Sequence, residues 1–85
     1  MNMSNDSYQP IACADYDIYE IAIMQNRQLL LSWTSADSSY KKVTVKPLKL
    51  HIENGAEYLI VEVQGDNKID GKQIRLDKII YAEMS

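Results

Sequence analysis

Leu48-Lys49-Leu50-His51-Ile52-Glu53-Asn54-Gly55-Ala56-Glu57-Tyr58-Leu59-Ile60-Val61-Glu62-Val63 is the stretch that decides the fold class. Leu48, Leu50 and Ile52 alternate with Lys49, His51 and Glu53, the period of a strand that buries one face. Asn54-Gly55 is a tight-turn dipeptide, because Asn and Gly adopt positive φ at least cost. Glu57 to Val63 is the most strand-like segment of the chain, dense in β-branched residues flanked by a tyrosine. Two strands joined by a two-residue turn are therefore expected here.

The same period recurs on both sides. Leu29, Leu31 and Trp33 alternate with Leu30, Ser32 and Thr34, and after a turn at Ala36-Asp37-Ser38-Ser39 the pair Val43 and Val45 alternates with Lys42, Thr44 and Lys46. A polar loop over Gly65 to Gly71 precedes a short strand at Gln73 to Leu76, Asp77-Lys78 breaks the alternation, and Ile79 to Glu83 resumes it. Five or six short strands at this spacing imply a small antiparallel β-barrel, since closure would remove edges that so short a chain can hardly cover.

Ahead of the strands the pattern changes. Residues 1–12 are polar, contain Pro10 and are expected to be extended. Over 13–25 two periods compete: Ile18, Ile21, Ala22 and Gln25 have helical spacing, while Tyr19, Ile21 and Ile23 alternate. Asp17, three residues before Glu20, has the spacing of a capping box, and Asp15 and Asp17 would lie at the positive end of a helix dipole. This predicts a helix over 15–24 and one domain over 1–85, with a β-barrel spanning 28–84.

At 85 residues, 46% hydrophobic and 25% charged, the chain suits one globular domain. No apolar run approaches the ~20 residues that span a bilayer, and the first residues lack the basic and apolar regions of a secretory signal. Cys13 is the only cysteine, so an internal disulfide is excluded. A cytoplasmic protein without membrane attachment is expected, with little room for an enzyme active site.

The net charge of −3 is distributed unevenly. Residues 1–26 contain Asp6, Asp15, Asp17 and Glu20 and no Lys or Arg; the rest of the chain is close to balance. Such a segment attracts a basic partner and cannot neutralise phosphates. Its simpler use is to solubilise a surface helix.

Few chemical motifs survive inspection. His51 is the only histidine and Cys13 the only cysteine, so a zinc site fails by ligand count, and no catalytic or metal site is expected. Cys13 has no neighbouring cation in sequence to activate it. Asp66 to Asp77 superficially follows a calcium loop, but Lys68 stands where the third position needs an oxygen, and the twelfth holds Asp77 rather than Glu. No cofactor motif is present. Lys41, Lys42, Lys46 and Lys49 form a mild basic stretch, which allows an alternative: an RNA-binding module using Lys42, Lys46 and Lys49 on a barrel face. The remaining candidate is Asp15-Tyr16-Asp17-x-Tyr19-Glu20, in which carboxylates could stand in for phosphates and rings for bases of a single-stranded nucleic acid. At least one of these tyrosines is expected in the core, because a helix must bury one face.

Tyr8-Gln9-Pro10-Ile11-x-Cys13-x-Asp15-Tyr16-Asp17 with Glu20 beyond, Glu57-Tyr58-Leu59-Ile60-Val61-Glu62, and Arg75-Leu76-Asp77-Lys78-Ile79 together resemble the Rof (YaeO) family of bacterial Rho inhibitors, in order along nearly the whole chain. The resemblance implies an N-terminal helix on an Sm-like β-barrel. It also implies binding to the RNA-binding N-terminal region of the transcription termination factor Rho, which blocks RNA loading and suppresses termination. Carried onto this chain, the implied contacts are Asp15, Tyr16, Asp17 and Glu20, with Tyr19 on the same helix. Glu53 and Asn54 at the hairpin turn are weaker candidates. A monomer that binds Rho and no nucleic acid directly is the expectation.

Overall fold

Helix α1 (Cys13–Met24) precedes five strands: β1 (Leu29–Thr34), β2 (Ser39–Glu53), β3 (Ala56–Val63), β4 (Lys72–Arg75) and β5 (Ile79–Met84), with a 3-10 turn at Leu76–Lys78. The computed structural model describes residues 7–35, 38–63 and 72–84. The polar loop expected over Gly65 to Gly71, and with it the first half of the calcium-like stretch Asp66 to Asp77, lies outside the described residues.

Helix α1 starts at Cys13, two residues before the expected span of 15–24 and five residues before a helix capped by Asp17 would start. Ala12 occupies the N-cap with no side-chain hydrogen bond, and its carbonyl accepts the N–H groups of Asp15 and Tyr16 at 3.0 and 3.1 Å. Asp17 lies a turn inside, so Asp17 and Glu20 do not form the expected capping box. The C-terminus closes as the residue types allow: Asn26 turns left-handed at φ 58°, Asn26 N–H donates to the Ile23 carbonyl and Arg27 N–H to the Ala22 carbonyl, the pattern of a Schellman cap. Tyr19 and Ala22 are buried beneath the helix, and Tyr16, Ile18 and Ile23 pack beside them.

The strands form one antiparallel sheet in the order β4-β3-β2-β1-β5. β2 is a single strand of 15 residues where the alternation suggested two, because Pro47 is taken up at a register shift between Pro47 and Lys49. That irregularity resets the faces. Pro47 and Val45 are buried, Leu50 packs half-buried against the core, and Leu48 and Ile52, expected inward, are 39% and 64% exposed. A second irregularity opposite Ser32 puts Lys42 at φ 49°, and the Lys42 N–H donates to the Ser32 hydroxyl at 2.9 Å, satisfying a buried polar group. Register shifts of this kind bend a sheet.

The bend brings distant strands together. Trp33, Thr34 and Ser35 at the end of β1 line one hollow of about 300 Å³ with Gln73, Ile74 and Arg75 of β4. The Lys72 Nζ lies 5.5 Å from the centre of the Tyr40 ring, which stacks on Trp33 at 4.7 Å. Among the described residues no ladder joins β4 to β5, so the sheet curls without the paired closure of the expected barrel. Leu29, Leu31, Trp33, Val45, Leu59, Val61, Ile74 and Leu76 fill the concave side under Tyr19 and Ala22.

Candidate partner-binding face

Helix α1 sets the geometry. Asp15, Asp17 and Glu20 are exposed, and Tyr16 is half-buried with its hydroxyl shifted upward, first by desolvation and then by the charges of Glu57 and Glu20. Burial, with Asp15 nearby, raises the Tyr19 hydroxyl to about 12. At 3% exposure Tyr19 belongs to the core, and its ring offers no surface to a partner.

Strand β3 adds an acid that the sequence motif did not single out as a contact. Glu57 lines a hollow of about 350 Å³ with Ile11, Cys13, Tyr16 and Asp17, so the helix acids continue onto the sheet. Its carboxylate also accepts a hydrogen bond from the Tyr8 hydroxyl at 3.0 Å. Burial, followed by this acceptor, keeps Tyr8 protonated well above the ordinary tyrosine range.

The segment before the helix is held in place by a clamp. Arg75 donates to both oxygens of Asp77, from Nε at 2.8 Å and Nη2 at 2.9 Å, and Asp77 also accepts the Gln9 backbone N–H at 3.0 Å. Arg75 reaches the Ser7 carbonyl at 3.5 Å and lies 5.9 Å from the Tyr8 ring centre. The Arg75 hydrogen bonds, reinforced by that of Gln9, hold the Asp77 carboxyl below the usual carboxylate range against the opposing effect of desolvation. Tyr8-Gln9, Glu57 and Arg75-x-Asp77, far apart in sequence, thus form one network that fixes the entry to α1. Pairs this distant leave no periodic signal in the sequence.

The other candidates are dispersed. Glu53 and Asn54 are exposed at the tip of the β2–β3 hairpin, where the His51 Nε2 lies 3.4 Å from Glu53. Lys42 covers the Tyr81 ring at 4.6 Å, Lys46 is paired across the ladder with Glu62, and Lys49 faces helix α1. The three lysines therefore stand in three different surroundings. Among the described residues, no group of three His, Cys, Asp or Glu side chains could hold a metal ion, and no helix is long and apolar enough to cross a membrane.

Comparison with known proteins connects this chain to a family. The chain is 37% identical over 75 residues to Protein rof of Escherichia coli (strain K12), an alignment covering 88% of this chain and 80% of that protein. Protein rof of Shigella flexneri matches to the same extent. Among solved structures, the proteasome accessory factor B/C (PafBC) of Arthrobacter aurescens superposes with a TM-score of 0.69 at 25% identity, covering 92% of this chain and 12% of that one. The shared fold is thus a small part of that larger protein. No family model matches the chain.

Proposed function

Because the chain belongs to the Rof family, we propose that it suppresses Rho-dependent transcription termination by occupying the RNA-binding surface of Rho. The observation that carries this reading is the exposure of Asp15, Asp17 and Glu20 on one helix within a base-free stretch of 26 residues. A surface that binds RNA is basic, and these carboxylates occupy it as phosphates would, with Tyr16 beside them. Glu57 extends the acidic face, and Glu53 and Asn54 at the separate hairpin tip supply a weaker second contact. The curled sheet, packed beneath Tyr19 and Ala22, holds the helix in place. The protein acts as a cytoplasmic monomer, without cofactor or catalysis and without binding RNA itself.

The test is competition for Rho. A fluorescent cytidine-rich RNA bound to Rho should lose anisotropy as this protein is added, while the protein alone leaves the RNA signal unchanged. Asp15→Lys combined with Asp17→Lys should abolish competition with the circular dichroism spectrum retained. Undiminished competition by that folded variant would remove the acidic face from the mechanism, and direct RNA binding by the wild type would favour the lysine-based module instead.

A further inference from the structure

Asp17, Glu20, Ile21 and Met24 fall at i, i+3, i+4 and i+7 of α1, so they form one stripe along the helix. All four are exposed, Ile21 by 37% and Met24 by 78%. The stripe is distinct from the Tyr19–Ala22 side that packs on the sheet. It lines a groove of about 490 Å³ together with Ile23 of the same helix and Lys49 and Leu50 of β2. The stripe changes character along its length: acidic in its first turn, apolar in its second.

A single exposed methionine needs no explanation. Here the exposed apolar residues are consecutive on one helix face, continue into Leu50 of the same groove, and follow directly on two carboxylates. Neither Asp17 nor Glu20 has an ion-pair partner among the described residues. We infer that this groove is the specificity-determining part of the Rho-binding face: it receives a segment of Rho that carries an aliphatic or aromatic side chain next to Arg or Lys. The apolar side chain enters between Met24, Ile21 and Leu50, and the basic one lies along Asp17 and Glu20. Lys49 of β2 repels a second cation and so fixes the segment's direction, since a like charge placed against it is unfavourable. An acidic face alone would bind any basic surface; the apolar half selects one that has both features. Long unbranched Met24 suits this role, because its side chain adapts to the shape it meets.

The inference rests on the proposed Rho binding, and salt dependence separates the two contributions. Affinity for Rho is measured by calorimetry at several ionic strengths for three full-length proteins: the wild type, Asp17→Asn with Glu20→Gln, and Ile21→Gln with Met24→Gln. The carboxylate variant should bind more weakly with a flatter dependence on salt, because fewer charges are screened. The apolar variant should bind about 10-fold more weakly or worse, as loss of a central apolar anchor does, with the wild-type salt dependence retained. A further variant, Met24→Leu alone, keeps the apolar volume and should retain much of the wild-type affinity. Wild-type affinity in a folded Ile21→Gln, Met24→Gln variant overturns the groove and leaves Rho binding standing. Absence of binding by the wild type overturns both.

Discussion

Asp77 shows how much one side chain can organise. It has 7% side-chain exposure, receives a bidentate Arg75 at 2.8 and 2.9 Å, and accepts the Gln9 N–H, so it ties β4 and the turn after it to the segment that leads into α1. Two charge-assisted bonds from a planar guanidinium are stronger and more directional than a point contact. Asp77→Ala removes the acceptors of both Arg75 and Gln9 and should cost about 2 kcal/mol in urea denaturation. Its pH dependence has a definite sign. Folding favours the charged form, so this contribution is complete above the ordinary aspartate pKa of about 3.9 and is lost as pH falls through the lower native value. The wild type should therefore lose stability as pH falls below about 4 more steeply than Asp77→Asn does. Parallel denaturation midpoints for the two proteins across that range would show that the clamp does not stabilise the fold.

At the scale of elements, the β2–β3 hairpin was legible because its determinants are local. Asn54 at φ 53° and Gly55 at φ 81° make the tight turn that their dipeptide announces, and the ladder runs from Glu53 opposite Ala56 to His51 opposite Tyr58 without interruption. Positive φ at both central residues is what an Asn-Gly turn supplies. A Cβ added at Gly55 would meet nothing within 4 Å, so the cost of Gly55→Ala is that of the backbone alone. It should be about 1 kcal/mol, lowering Tm by about 4–8 °C in a domain of this size, which thermal unfolding can read. Other features depended on partners that no local pattern reveals. The alternation of Leu48, Leu50 and Ile52 was real in sequence, but a register shift at Pro47 decides which of them meet the core. The Asp17–Glu20 spacing matched a capping box, yet Ala12 starts the helix because packing of Tyr16, Tyr19 and Ala22 on the sheet outweighs a surface cap. Of the candidate contacts, the exposed acids could be read from charge alone. The burial of Tyr19 and the nearness of Glu57 required the fold.

For the whole molecule, the open question of edges becomes one of association. Among the described residues, a sheet ordered β4-β3-β2-β1-β5 leaves β4 and β5 unpaired on their outer sides, and free strand edges invite pairing with a second copy. Both edges carry features that oppose it. β4 is only four residues long and bears Lys72 and Arg75, the first drawn over Tyr40 and the second locked to Asp77. β5 presents Ile80, 70% exposed, and Tyr81, but Lys42 covers the Tyr81 ring and Lys41 lines the same hollow, while the Tyr81 hydroxyl is bonded to Glu83. Short, charged edges are how small sheets avoid growing. A specific interface should bury about 1,000 Å² or more, beyond the reach of a four-residue edge meeting one of six residues. Sedimentation at micromolar concentration should therefore give a monomer. Lys41→Thr with Lys42→Asn, Asn being a residue that tolerates the positive φ at position 42, uncovers Ile80 and Tyr81 and removes two charges, so it should shift the distribution toward dimers as concentration rises. A wild type that already sediments as a dimer would show that the lysines do not guard this edge. It would also show that the sheet completes itself with a second copy, leaving the acidic helix to act from an assembly rather than from a single chain.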